Sequence, residues 1–314
     1  MTILRARWRK ATRPMAETRP AAPASRDALM GLACGAGAAL IWGIQAVVSR
    51  RSVGDGLGPV DVTLLRFLTA AAVLIPFGLM RLKPFPVGRL GWKRSLVLTL
   101  FAGAPFSTVL VGGSTFAPAL HTAVIAPSLI PVVTALIAYA AYRETSPPAR
   151  ILGLVLIVTG IALVAGQGLI AGASDGAWRG DLLFVLASTM WAIFGILAKR
   201  WQADALDITI TLSILSLAVL PLLALAVPLK IASAGMGAIA LQAIYQGLLV
   251  GIASVFLYAT ANQRLGAARA SLFLPLVPAI TAVASAILLG EWPSASELIG
   301  MAVVMTGMTI AIRA

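Results

Sequence analysis

Charge is what this 314-residue chain has least of: 11% of its residues are Asp, Glu, Lys or Arg, against 60% that are hydrophobic. Soluble domains carry about 25% charged residues, so a soluble enzyme and a disordered chain are both excluded. There is one cysteine, Cys34, and one histidine, His121. A disulfide within the chain needs two thiols, and a metal centre needs more ligands at close spacing. Cys34 lies in an apolar stretch and reads as a small packing residue. No Walker-type phosphate loop is found, and no polar stretch is long enough for a nucleotide domain. No triad, paired acids or metal-ligand set is found either. The expectation is a protein with no cofactor, no ATP coupling and no enzymatic activity.

What is present is apolar sequence in span-length runs. Predicted spans fall at 28–48, 60–80, 95–116, 122–142, 149–168, 181–199, 208–228, 238–262, 268–289 and 296–313. A bilayer core of about 30 Å takes about 20 apolar residues per helix. The runs are apolar on all faces and lack period-2 alternation, so they read as helices and not as barrel strands. The net charge of +13 comes from 24 Lys+Arg against 11 Asp+Glu. With so few charges in all, the excess labels loops and not a nucleic-acid surface. The predicted side holding both termini carries 19 of the basic residues, the other side carries Arg50, Arg51, Arg179 and Lys230, and Arg66 falls inside a span. That bias places both termini in the cytoplasm of a bacterial-type inner membrane. Residues 1–27 form a basic tail expected to be disordered.

One offset relates the two halves. A shift of 147 pairs Pro131 with Pro278, Thr134 with Thr281, Glu144 with Glu291, Gly153 with Gly300, and Gly160 with Gly307. At 149, Trp42 meets Trp191 and Arg50-Arg51 meets Lys199-Arg200. Each half, 28–168 and 181–313, has five spans, so the second enters the membrane from the opposite side. The fold class is all-α integral membrane, ten helices in two inverted five-helix repeats. Such symmetry lets one central site open to either face in turn.

The run from Ala117-Pro118-Ala119-Leu120-His121-Thr122-Ala123 through Pro127, Pro131 and Arg143-Glu144 to Gly153 and Gly160 resembles a first EamA domain. Gly266-Ala267-Ala268-Arg269-Ala270-Ser271 through Pro278, Leu289-Gly290-Glu291, Gly300 and Gly307 resembles a second. Ala39-Leu40-Ile41-Trp42-Gly43 and Leu65-Arg66-Phe67 are similar to the opening helices. The resemblance covers residues 28–313 and is to the drug/metabolite transporter superfamily. It implies a pocket between helices 1, 3, 4, 6, 8 and 9. It also implies transport of amino acids, nucleobases or other metabolites, often outward.

Several residues stand out within the spans. Pro127 and Pro131, and Pro275 and Pro278, each free a carbonyl four residues back and predict kinks in opposite halves of helices 4 and 9. They read as hinges or as static packing kinks. Arg66 lies about six residues inside its span, roughly 9 Å deep. Burying it costs about 2.5 kcal/mol or more unless it is paired or reaches water. It reads as a snorkelling cation or as the partner of a substrate carboxylate. His121 reads as a hydrogen bond at a helix start or, with an ordinary pKa near 6.5, as a proton sensor; the resemblance adds it to the substrate site. Trp42 and Trp191 lie away from span ends, where tryptophan normally anchors, and fit either helix packing or an aromatic pocket wall. Gln45 shares a face with Trp42. Gln246, Tyr258 and Asn262 make helix 8 polar, and Gly247 and Gly251 allow close packing there. Glu144 and Glu291 read as structural, beside Thr145-Ser146-Pro147 and the capping box Ser294-x-x-Glu297.

The functional expectation is secondary or exchange transport of small organic metabolites, with export of amino acids or related solutes foremost. A multidrug or lipid-like exporter and a non-transporting scaffold remain as alternatives. The expected partners are a small-molecule substrate and the lipid bilayer, with no nucleic acid; oligomeric state is left open.

Overall fold

The computed structural model describes residues 25–143, 145–170 and 176–314. Most of the basic tail, residues 1–24, and the junction residue Glu144 lie outside the described residues. Among the described residues, ten helices are long and apolar enough to cross a membrane. They are α1 Ser25–Gly54, α2 Pro59–Arg81, α3 Gly88–Gly113, α4 Ala119–Tyr142, α5 Pro148–Ile170, α6 Ala177–Arg200, α7 Ala205–Ala226, α8 Met236–Leu265, α9 Ala267–Leu289 and α10 Ala295–Arg313. Their directions alternate. One end of the bundle therefore holds Ser25 and Arg313, and the other holds the starts of α4, α6 and α10. We call these the termini end and the His121 end.

Helix starts are set by polar caps. The Asp204 side chain accepts from Leu206 N and Asp207 N to begin α7. Ser294 and Glu297 close the capping box expected of them at the start of α10. Asp61, in the first turn of α2, accepts from Gly58 N at 2.8 Å and from Lys230 N at 3.0 Å, holding the α7–α8 connection against α2.

Four details depart from the predicted spans. Helix α1 runs to Gly54, so Arg50 and Arg51, expected in a loop, sit on its last turns; no breaker precedes the Gly54, Gly56, Gly58 run. Helix α3 breaks at Gly103, where Ser216 Oγ of α7 accepts from Ala104 N at 2.9 Å. A Cβ at Gly103 would lie 2.5 Å from that hydroxyl. Helix α8 widens over Ala243–Ala253 into a π-helix with i→i+5 turns. Helix α4 runs unbroken through Pro127 and Pro131, whereas α9 is interrupted by a 3₁₀ turn at Ser271–Phe273, just before Pro275. In α9 the Ser271 carbonyl that Pro275 leaves free accepts instead from Leu274 N at 3.1 Å.

The first helix of each repeat packs on the other repeat. Helix α1 lies against α8 and α9, and α6 lies against α3 and α4. Glycines make room. A Cβ at Gly43 would stand 2.5 Å from Ile280, and one at Gly113 would stand 2.3 Å from Phe184. Thr281 Oγ1 adds a bond to Gly43 O at 2.7 Å.

Helices α5 and α10 form the most extensive helix pair of the bundle. Gly153 faces Gly307, and Gly160 faces Gly300. The repeat relates Gly153 to Gly300 and Gly160 to Gly307, so the spatial pairs are crossed relative to the sequence pairs. Crossing is what a pseudo-two-fold axis between antiparallel copies of one helix requires. A Cβ at Gly160 would sit 2.6 Å from Gly300 O, and one at Gly300 would sit 2.7 Å from Gly160 O. Such close backbone contact replaces the missing hydrophobic drive between helices in lipid. Gly160→Ala or Gly300→Ala is expected to cost about 1–3 kcal/mol through overpacking. The readout is a lower thermal midpoint of the purified protein. Gly166→Ala on the same helix, where a Cβ meets nothing within 4 Å, leaves the midpoint in place. Equal midpoints for all three variants refute the seam.

Candidate functional site

The polar residues of the bundle gather in three places: the interior between the repeats, the His121 end, and the termini end, where Arg81 of α2 pairs with Asp204 and Asp207 of α7 and Arg264 of α8 pairs with Asp27 of α1. In the interior, Arg66 of α2 is half-buried and its enclosed Nε has no hydrogen-bond partner. Among the described residues no carboxylate pairs with it; its guanidinium lies 5.6 Å from the Phe67 ring centroid. Gly247 of the π segment meets α2 here: a Cβ on it would stand 2.5 Å from Thr69 and 3.2 Å from the Arg66 carbonyl. The residue before it, Gln246, is fully buried and donates to Ser49 Oγ at 2.9 Å. One turn away, Gln242 donates to Val48 O at 2.8 Å. Both glutamines keep an enclosed Oε1 without a donor. An unserved buried acceptor is costly, so these two on the α1 side of α8, with the unpaired Arg66 on α2, leave the interior under-satisfied. Gln45 is half-buried and makes no side-chain hydrogen bond among the described residues.

The aromatic residues fall into separate groups. Trp42 of α1 donates to Ser254 Oγ at 3.1 Å and stacks at 5.2 Å, tilted, on Tyr258, both on α8. Trp191 of α6 packs instead between Phe106 and Phe194, at centroid distances of 4.9 and 5.1 Å. The structure thus brings Trp42 and Tyr258 together and puts Trp191 in a different cluster. Of the prolines, Pro278 is buried beside Trp42's neighbours on α9, and Pro275 caps the resumed helix.

At the His121 end, side chains far apart in sequence converge. His121, in the first turn of α4, has Nδ1 2.7 Å from Asp181 Oδ1 of α6 and Nε2 3.3 Å from Glu297 Oε1 of α10. The three side chains are 7%, 12% and 15% exposed. Glu297 uses its other oxygen for the capping box, accepting from Ser294 N at 2.7 Å. Beside this cluster, Arg50 Nε donates to Glu291 Oε1 at 2.9 Å and its Nη1 donates to Ser114 O at 2.8 Å. Glu291 Oε2 accepts from Ala119 N at 3.0 Å, a free N–H at the start of α4. Glu291 therefore joins α1 and α4 to α9, beyond the local turn expected of it. A cavity of about 250 Å³ adjoins these groups, lined among others by Leu120, Ser285, Glu291, Trp292 and Glu297. The partners Asp181, Glu297 and Arg50 were not evident as a set in the sequence, because each contact spans the two repeats.

The chain was compared with known proteins. The EamA-like transporter family matches it over residues 29–166 and 178–313. A curated relative, "Uncharacterized transporter YyaM" from Bacillus subtilis (strain 168), is 26% identical over 194 residues, which is 58% of this chain and 61% of that protein. The chain thus spans about three fifths of the length of that relative. A solved crystal structure, 20% identical, superposes with a TM-score of 0.58 over 91% of this chain and 96% of its own. At that identity the likeness concerns fold alone.

The Arg50–Glu291 pair can be tested directly. Both side chains are under a third exposed, so removing one leaves the other poorly solvated. A double-mutant cycle with Arg50→Ala and Glu291→Ala, read by thermal unfolding, is expected to give a coupling of about 0.5–3 kcal/mol. Strictly additive effects rule the tie out.

Proposed function

The chain belongs to the EamA-like transporter family, and from that premise we propose that it is a secondary or exchange transporter of small organic metabolites working by alternating access. The observation that carries this reading is the pair of inverted repeats, whose most buried ion pairs, Arg50–Glu291 and His121–Asp181–Glu297, join them at the His121 end. Arg81–Asp204, Arg81–Asp207 and Arg264–Asp27 join the same halves at the termini end, and their side chains are the more exposed. Ties at each end, between halves of opposite orientation, are what a two-sided carrier would break in turn. The ten-helix bundle and the absence of a nucleotide motif favour coupling to a gradient over coupling to ATP. In this reading both termini face the cytoplasm of a bacterial-type inner membrane, as the Lys and Arg bias favours. The His121 end then faces outward.

The substrate class is the finer part of the proposal: amino acids or related carboxylate-bearing solutes, moved outward. Arg66 supports it. An unpaired guanidinium in the interior suits a solute with a carboxylate. Arginine's planar fork binds carboxylate through two parallel bonds. Trp42 with Tyr258, Gln45 and Gln246 are proposed for the same site, and Trp191 and His121, which lie in separate clusters, as further contacts of the solute. The breaks near Pro275 and Pro278, and the proline pair Pro127 and Pro131, are the proposed hinges. The half-buried aromatic pair Trp42 and Tyr258 would also suit a polyaromatic drug, which forms the second reading.

Flux in proteoliposomes across a panel of amino acids, nucleobases, organic acids and aromatic drugs is the test. Arg66→Ala is expected to cut flux of carboxylate-bearing solutes at least tenfold, about 1.4 kcal/mol of lost interaction. Uncharged members of the panel keep theirs, and Arg66→Lys recovers only part. Carboxylate flux that survives Arg66→Ala at normal expression removes the arginine from the site. Transport of aromatic drugs alone selects the second reading.

A further inference from the structure

His121 sits between two carboxylates, and that arrangement fixes a proton count. A neutral imidazole has one N–H and one bare lone pair. Nδ1 is 2.7 Å from Asp181 Oδ1 and Nε2 is 3.3 Å from Glu297 Oε1. If the ring were neutral and both acids ionised, one lone pair would face a carboxylate oxygen with no proton between them. Two acceptors at that distance in a buried site repel each other. The contacts therefore require one further proton, either on the ring as imidazolium or on one of the acids. We propose that His121, Asp181 and Glu297 form a proton-binding site that is filled while the His121 end is tied together, and that opening this end releases one proton.

The site sits where opening must act. His121 belongs to the first repeat, and Asp181 and Glu297 belong to the second, so separating the halves here parts the ring from its acids. This step rests on the alternating-access reading above. The other groups facing the cluster do not supply the proton. On α9, Glu291 is occupied by Arg50 of α1 and by Ala119 N. Glu297 Oε2 takes bonds from the Ser294 N–H and hydroxyl. At the end of α3, the Ser114 hydroxyl is bonded with that of Thr122 at 3.3 Å. Arg179, two residues before Asp181 on α6, is exposed and lies over Trp178. His121, Asp181, Glu297, Glu291 and Arg50 then sum to one negative charge with the proton and two without it, so its loss also weakens the tie electrostatically.

The sign follows. Acid on the His121 face keeps this end shut, and alkali on that face favours opening. Because the proton leaves to and returns from the same face, the site sets a rate and does not by itself drive solute uphill.

The chain's single histidine makes the test specific. In protein purified without a histidine tag and labelled with ¹⁵N-histidine, nitrogen spectra report this ring alone. The expected result at about pH 7 is either two protonated ring nitrogens or a neutral ring bonded to a protonated acid, identified by carboxyl ¹³C shifts of labelled Asp and Glu. A neutral ring beside two ionised acids overturns the proposal. The second arm measures the distance between spin labels at Gly54→Cys and Ala295→Cys in a Cys34→Ala chain, on opposite repeats at this end. A longer distance is expected to gain population as pH rises from about 6 to 9, by up to tenfold per pH unit for one proton. His121→Gln is expected to abolish that change. One distance at every pH, with solute flux intact, refutes the proton lock alone. One distance with no flux across the panel refutes the carrier reading as well.

Discussion

Helices α5 and α10 are two copies of one sequence pattern that must meet backbone to backbone, in opposite directions. Four glycines set that distance, and any side chain on Gly153, Gly160, Gly300 or Gly307 would enter the opposing main chain. In lipid, apolar side chains gain little by leaving their surroundings, so contact of this closeness supplies the attraction through dispersion and weak C–H···O bonds. The seam also fixes the pseudo-two-fold axis. Once α5 and α10 are crossed in register, the remaining four helices of each repeat are constrained to inverted positions. The placing of α1 beside α9 and of α6 beside α3 repeats the same device, glycine against a large side chain.

The seam and the polar groups divide the work. The close glycine contacts carry no charge and hold one side of the bundle without polar partners. The ion pairs lie at the two ends: buried ones at the His121 end, from α1, α4, α6, α9 and α10, and more exposed ones at the termini end, Arg81 with Asp204 and Asp207 and Arg264 with Asp27. Deeper in, Arg66, Gln242 and Gln246 are left short of partners. A structure that satisfies its ends and leaves its interior under-satisfied is arranged to be completed by something that enters. The π segment of α8 contributes to this, since its wider turn brings Gly247 against α2 while turning Gln246 toward α1.

Much of this could be read in the sequence, for a physical reason. Spans, inverted halves and the glycine offsets all depend on hydropathy and on local repetition, which the sequence carries directly. The Ser294 to Glu297 capping box was legible because its partners are three residues apart. The partners of His121 are 60 and 176 residues away, and nothing local in Asp181 marks it as a ligand of a distant ring. Glu297 was visible only as a cap, because one oxygen of a carboxylate can serve a local N–H while the other serves another helix. The break in α3 at Gly103 was hidden for the same reason: its cap, Ser216, comes from α7. The unequal behaviour of the proline pairs follows from spacing, four residues in α4 and three in α9, and from whether a 3₁₀ turn can serve the freed carbonyl.

The exchange of first helices has a consequence for how the chain is made. Helix α1 ends at Gly54, and its neighbours in the finished bundle, α8 and α9, begin at Met236 and Ala267. At synthesis rates of about 5–20 residues per second, roughly ten to forty seconds separate them. During that interval α1, with Trp42 and its glycine face, stands in the bilayer without the surface it is shaped for. Assembly of the first repeat cannot be finished before the second is translated. Neither half is therefore a self-sufficient folding unit, although each is a copy of the other.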